Sequence, residues 1–278
     1  MLGLGDMMFY IDAHCDSVIP AYGHLDFNRM RVTESGIQFM ACFSPDFETV
    51  IQMLDKLDCC GIPDVLSRAD VGVDGWRVLR SIEGGDCLNG DLSRLDYFYK
   101  RGVRAMGLTW NNENPLSGGA DSPEKGLTPL GILAIKRMEE LGIAVDLAHI
   151  SEKGFWDALE VIKKPPIVSH TAANALYPHR RNLTDGQIRA VAARGGVIGI
   201  CLYPVFLGCA ALETVARHIA HIRNVGGEDC VGIGTDFDGI DSLPDGISGV
   251  EDMPKLFEML DEKTIGLNFA RVLREILD

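Results

Sequence analysis

Six residues able to hold a metal or move a proton follow short apolar, β-prone runs in this sequence: His14 and Asp16, Glu83, His149, His170 and Asp236. His14 and Asp16 are two apart, so an extended backbone projects both side chains to one face. A neutral imidazole and a carboxylate on one face are a natural pair of ligands for a divalent ion. Five nitrogen and oxygen ligands, one of them a carboxylate able to bridge, suffice for two such ions. Imidazole and carboxylate without thiolate suit two Zn2+, with Mn2+ or Co2+ as alternatives. Water between two such ions is acidified toward neutrality and becomes hydroxide, a nucleophile for an amide carbonyl. Cys15, between His14 and Asp16, points the opposite way into packing. Singly, each residue also has a plain structural reading: a strand-end histidine can be a satisfied polar group, Glu83 can cap the turn at Gly84-Gly85, and Asp236 and Asp238 can be turn residues. Their shared placement at strand ends favours the metal reading.

The elements that must position them are short strands alternating with helices. Strands are expected at Met7–Ile11, Gly36–Phe43, Trp76–Ile82, Arg104–Thr109, Ile143–Leu147, Pro166–Val168, Val197–Leu202 and Cys230–Gly234. Helices are expected from Val50 to Cys60, with Ile51, Leu54 and Leu57 on one face, and from Leu92 to Arg101. A third starts at Thr128-Pro129 and buries Leu130, Leu133, Met138 and Leu141. Ser151 caps another with Phe155, Leu159 and Ile162 inward. Thr184-Asp185-Gly186-Gln187 is a capping box. Leu212, Val215, Ile219 and Ile222 mark the next helix, and two closing helices are expected around 253–262 and 264–277. Eight strands at about thirty-residue spacing point to parallel βα units and an α/β fold, a (β/α)8 TIM barrel over residues 1–278 as one domain. In such a barrel all strand C-terminal ends share one face, where active sites are built.

A net charge of −14 and the absence of a basic stripe argue against nucleic acid and anionic membrane as partners. Met1–Asp6 shows neither a basic n-region nor a long apolar core, so no export signal is read, and no apolar run is long enough to span a bilayer. The eight cysteines form no C-x2-C pair and are expected to be reduced thiols of a cytoplasmic protein, with Cys59-Cys60 serving packing. His218 and His221, three apart on a helix, are read as a solvated face away from the strand ends. His24 and His179 lie in loops. An arginine of the Arg180-Arg181 pair, near His170, could fork onto a substrate carboxylate. Trp110 to Lys125 is a long polar loop of the kind that often carries function.

Taken in order, DAHCD, GIQFMA, SIEGG, LTWNNENP, GLTPLG, VDLAHIS, PIVSHTAA, RRNLTD and GTDFDG resemble the membrane (renal) dipeptidase family of the amidohydrolase superfamily, over nearly the whole chain. The resemblance implies a (β/α)8 barrel with a binuclear zinc site, a small peptide substrate and a homodimer. It implies that His14 and Asp16 hold one ion, His149 and His170 the other, and that Glu83 bridges. Asp236 matches the aspartate that hydrogen-bonds the bridging water and handles the proton, and Arg181 the arginine that holds the substrate's free carboxylate. One departure bears on substrate: mammalian members carry a histidine near the scissile carbonyl in an L-T-H context, where this chain has Trp110. The lost polar contact is either absent or shifted to Asn111 or Asn112. The chain is short for the family, without export or anchor signal, as in a soluble bacterial-type member. The expected activity is hydrolysis of dipeptides, L-D pairs among them. The alternatives are a lactonase or N-acyl amino acid hydrolase on the same metals, or a non-catalytic metal- or peptide-binding protein.

Overall fold

The structure, a computed structural model, describes residues 8–26 and 28–278. Eight parallel strands, β1 (Phe9–Asp12), β2 (Ser35–Phe43), β3 (Trp76–Glu83), β4 (Val103–Gly107), β5 (Ala144–Asp146), β6 (Ile167–Thr171), β7 (Val197–Ile200) and β8 (Val231–Ile233), pair in chain order. The ring closes where Asp12 of β1 pairs with Ile233 of β8. This is the expected (β/α)8 barrel. All eight strands lie where apolar runs were read, with no end displaced by more than three residues. Met7, and the Met1–Asp6 stretch read for an export signal, fall outside the described residues.

The helices are α1 (Phe47–Asp58), α2 (Ser93–Lys100), α3 (Pro129–Leu141), α4 (Glu152–Val161), α5 (Asp185–Ala193), α6 (Pro204–Leu207), α7 (Leu212–Gly226), α8 (Met253–Phe257) and α9 (Asn268–Ile276). The sequence signals for their starts are realised in the caps. Thr128 Oγ1 accepts from Gly131 N, Ser151 Oγ accepts from Gly154 N, and Thr184 and Gln187 exchange hydrogen bonds as a capping box.

Three expectations are corrected. Leu133 is exposed, because α3 packs on its Gly131–Ala134–Ile135–Met138 face; a Cβ on Gly131 would come within 2.1 Å of Leu116 O. That close approach turns the helix and carries Leu133 outward. The two closing helices are shorter than read: α8 ends at Phe257, and a wide π turn at Lys263–Leu267 precedes α9. The turn seats Gly266 against β1, where a Cβ would lie 2.1 Å from Phe9 O. Cys59 faces solvent and only Cys60 packs on the core. All eight cysteines are free.

Two apolar layers result. A larger one lies between strands and helices. A smaller one fills the barrel interior, where Ile11, Ile37, Phe39 and Leu79 meet Phe269 and Leu273 of α9. Helix α9 thus stoppers the floor of the barrel, and the polar groups are left to the opposite mouth. Among the described residues no helix is long and apolar enough to cross a membrane.

Candidate metal centre

Beyond Asp12 the chain stays extended without regular pairing. Cys15 N donates to Phe39 O, and Asp16 N donates to Phe237 O, which wedges Ala13–Asp16 between β2 and the segment after β8. Alternation then sends Cys15 into the shell, its Sγ 3.2 Å from Met40 Sδ, and His14 and Asp16 into the mouth, with His14 Nε2 3.4 Å from Asp16 Oδ2. A bulge in β6 does the same for His170. Val168 pairs with Ile198 and Thr171 with Ile200, so one extra residue is accommodated and the side chain is re-aimed. Gly199 and Gly234 leave room for the bulged backbone; a Cβ on either would sit within 2.0 Å of Ser169 O.

Glu83, the last residue of β3, stands at the middle. Its Oε1 lies 2.8 Å from His149 Nε2, 3.6 Å from His170 Nε2 and 3.8 Å from His14 Nε2. Asp236 Oδ1 is 3.9 Å from His14 Nε2. Three sets of potential ligand atoms cluster here: His14, Asp16 and Glu83; Glu83, His149 and His170; and His14, His170 and Asp236. Glu83 is common to the first two, as a bridging carboxylate would be.

The donor chemistry fits divalent ions. His149 Nδ1 is 2.9 Å from Asn111 Oδ1, an acceptor, so Nδ1 carries the proton and Nε2 keeps its lone pair. That lone pair faces His170 Nε2 at 2.8 Å, while His14 Nε2 is buried without a hydrogen-bond partner. Converging lone pairs and carboxylates in a buried cluster call for a cation between them.

The same crowding shows in the proton affinities. Burial opposes charge on His14, yet Glu83, Asp16 and Asp236 outweigh it and push its pKa to about 10. Burial raises Glu83 to about 8 and Asp236 to about 7, with Asp16 adding to both against the pull of His14. His149 and His170 are held well below the ordinary histidine range, first by burial and then by positive neighbours, Arg181 among them. His149 and Asp236 also hold φ of 63° and 66°, left-handed conformations that cost a non-glycine residue about 1–2 kcal/mol. Surrounding hydrogen bonds hold that backbone; Asp236 N, for example, donates to His14 O.

Of the arginine pair, Arg181 is buried beside His170, its Nη2 3.4 Å from His170 O and its Nε without a partner. Arg180 instead faces outward and ion-pairs with Asp121. Trp110 lies over His149, ring centroids 6.1 Å apart and planes 27° from parallel. Asn111 commits its side-chain oxygen to His149, so any contact with a substrate anion falls to the other end of its amide. His24 and His179 both accept backbone hydrogen bonds, from Asp238 and Arg181. Asp238 is a loop organiser, accepting from Ser17 Oγ and from Tyr22 and Gly23 N. His218 is corrected from a solvated residue to a buried one: it accepts from Ala173 N and lies 3.2 Å from Leu207 O. His221 pairs with Asp185.

Sequence reasoning passed over three groups. Asp12 accepts from Thr235 N and Oγ1 and from His14 N, bracing β1 to β8 directly below the site. Asp146 accepts from Ala148 N and Ser169 N and braces β5 to β6 in the same way. Cys201 places its thiol 3.5 Å from Asp236 Oδ2. Cys201 directly follows β7, but the apolar run extends the expected strand to Leu202 and so conceals it.

A family model for membrane dipeptidases (peptidase family M19) matches residues 6–278. The chain belongs to the membrane dipeptidase family. It is therefore a peptide-bond hydrolase of the metallo-dipeptidase class, and a metal cofactor goes with that membership. An uncharacterised dipeptidase of Schizosaccharomyces pombe is 33% identical over 299 residues, covering 91% of this chain and 72% of its own. The crystal structure of dipeptidase AC, a metallopeptidase of family M19, superposes with a TM-score of 0.88 at 26% identity, covering 98% of this chain and 99% of that one. A metallopeptidase from Rhodobacter sphaeroides, solved with a phosphinate mimic of L-Ala-D-Ala, shares the fold at a TM-score of 0.87 and 24% identity, over 98% of this chain and 100% of that one.

Proposed function

We propose that this family member is a zinc-dependent dipeptidase whose centre takes two ions, one at His14 and Asp16, one at His149 and His170, with Glu83 shared. The observation that carries the reading is the position of Glu83 Oε1, within 3.8 Å of three imidazole Nε2 atoms and beside a buried arginine. Divalent ions bound there supply acidified water and a polarised peptide carbonyl.

The chain's own residues do the rest. Asp236, with Oδ1 toward His14 and Oδ2 toward Cys201, takes a proton at the centre and returns one to the departing amine. Arg181, buried and with an unused Nε–H, holds the free C-terminal carboxylate of the substrate by charge-assisted hydrogen bonds. A longer peptide has no carboxylate at that place, which limits cleavage to very short substrates. The acidic mouth and the buried arginine fit a small peptide better than a polyanion.

The test is hydrolysis of a dipeptide panel, L-D pairs included, by purified protein before chelation, after chelation and after zinc is returned. Cleavage that disappears and comes back with zinc is the expected result; manganese and cobalt are run alongside. Silence across the panel while two ions remain bound by elemental analysis defeats the reading. That result moves attention to lactones and N-acyl amino acids, the alternative that Trp110 in place of the family histidine keeps open.

A further inference from the structure

The closed strand order places β2 and β6 diametrically opposite each other. Arg181 belongs to the β6 side, tied to the strand by the hydrogen bond from Thr171 Oγ1 to its carbonyl oxygen. On the far side, Phe43 ends β2 in register with Glu83, at the height of the metal ligands. The residue is 39% exposed, large for one whose eight strand neighbours are all buried. Trp110 leans on it, ring centroids 5.4 Å apart at 43°, and reaches from there over His149. The two rings make an apolar wall on the β2–β4 rim. It faces the cluster rather than the core, and neither ring is needed to hold an ion.

A dipeptide with its carboxylate on Arg181 and its scissile carbonyl at Glu83 and the imidazoles must run across the mouth away from β6. Its N-terminal residue then arrives at the β2–β4 rim. We propose that Phe43 and Trp110 are the specificity-determining subsite for the N-terminal side chain, and that they select a large apolar or aromatic residue there. This rests on the dipeptidase reading above. No basic side chain belongs to the pair, so an acidic N-terminal residue gains nothing from the wall, and a methyl group is too short to use it. An aromatic ring gains offset or edge contact with both.

The experiment uses two phosphinate dipeptide mimics that differ only in the N-terminal side chain, benzyl against methyl. Each is titrated calorimetrically into the zinc-loaded protein. The benzyl compound should bind about 10- to 100-fold more tightly, the range one apolar group contributes in such a subsite. Phe43→Ala should remove most of that ratio and Phe43→Leu should keep part of it. A ratio of two affinities on one sample does not depend on the folded fraction, and Phe43 is preferred to Trp110 because the indole also rests on His149. Equal binding of the two mimics, no binding of either, or a preference that survives Phe43→Ala overturns the proposal. Hydrolysis of Phe-Ala and Ala-Ala is measured in parallel. Selective binding without cleavage leaves the subsite standing and removes the dipeptidase reading, whereas cleavage without selective binding does the reverse.

Discussion

On the β1–β8 side of the mouth, His14 stands among the carboxylates of Asp16, Glu83 and Asp236, which drive its pKa up to about 10. On the β5–β6 side, His149 and His170 are buried near Arg181 and their pKa values are driven down. The two sides are braced alike, each by a buried aspartate that accepts two hydrogen bonds or more from the neighbouring strand end or its own. They differ in the charge that surrounds the imidazoles. In the proposed reaction the first side, with Asp236, handles protons and the second, with Arg181, receives an anion. A substrate that carries a carboxylate at one end and a leaving amine beside its scissile bond fits that polarity in one orientation.

The largest effect is expected at Asp236. Asp236→Asn should lower kcat by about 10^2- to 10^4-fold, the usual contribution of a positioned acid–base group, while KM and bound metal change little. Unchanged turnover would remove the proton-handling role from the anionic side. Arg181→Ala should act mainly on KM, raising it about 10- to 100-fold for free dipeptides, in keeping with one charge-assisted pair. C-terminally amidated dipeptides should be indifferent to it; equal losses on both kinds of substrate would take the carboxylate away from Arg181.

The braces test whether the two sides are independent. Asp12→Asn and Asp146→Asn should each cost about 1–3 kcal/mol in denaturant unfolding, because each leaves a buried strand-end N–H with a weaker acceptor. Metal content should separate them. Loss of the Asp12 brace should weaken retention by His14 and Asp16, and loss of the Asp146 brace retention by His149 and His170. Identical metal loss from both variants would mean that the centre responds as one unit. The smallest effect belongs outside both sides. His221→Ala removes a half-exposed pair with Asp185 and should cost no more than about 1 kcal/mol, with activity unaltered.

The barrel was legible because the strands are short apolar runs, five of them leading into a polar candidate ligand or acid, and because α3, α4 and α5 begin with a side chain that caps them. His14, Glu83, His149, His170 and Asp236 emerged from the same pattern, since strand ends in a closed parallel sheet must share a face. Asp12 and Asp146 were not legible as braces. They are the last residues of their strands, and only the pairing of β1 with β8 and of β5 with β6 reveals their partners. Cys201 was hidden by its chemistry, since a cysteine in an apolar run reads as a small hydrophobe. His218 was misplaced because helical spacing does not say that the segments at Ala173 and Leu207 cover that face of α7. Leu133 was misplaced for a related reason: the face of α3 that packs inward is the one carrying Gly131, which sits against Leu116.

The hydrogen bonds from Thr235 to Asp12 join residues 223 positions apart in the sequence. During synthesis, the first two candidate ligands leave the ribosome long before the strand that braces them exists. Until β8 docks against β1, His14 and Asp16 sit on an open edge whose backbone has no partner on one side. The interior layer is equally unfinished until Phe269 arrives beneath it. The candidate centre, which draws on the ends of β1, β3, β5, β6 and β8, is therefore complete only late in folding. Metal supplied early meets scattered single ligands, and metal supplied after ring closure meets the assembled set. Zinc added to refolding protein at different delays should reveal that order, with competent loading appearing only once the slow, long-range closure is complete.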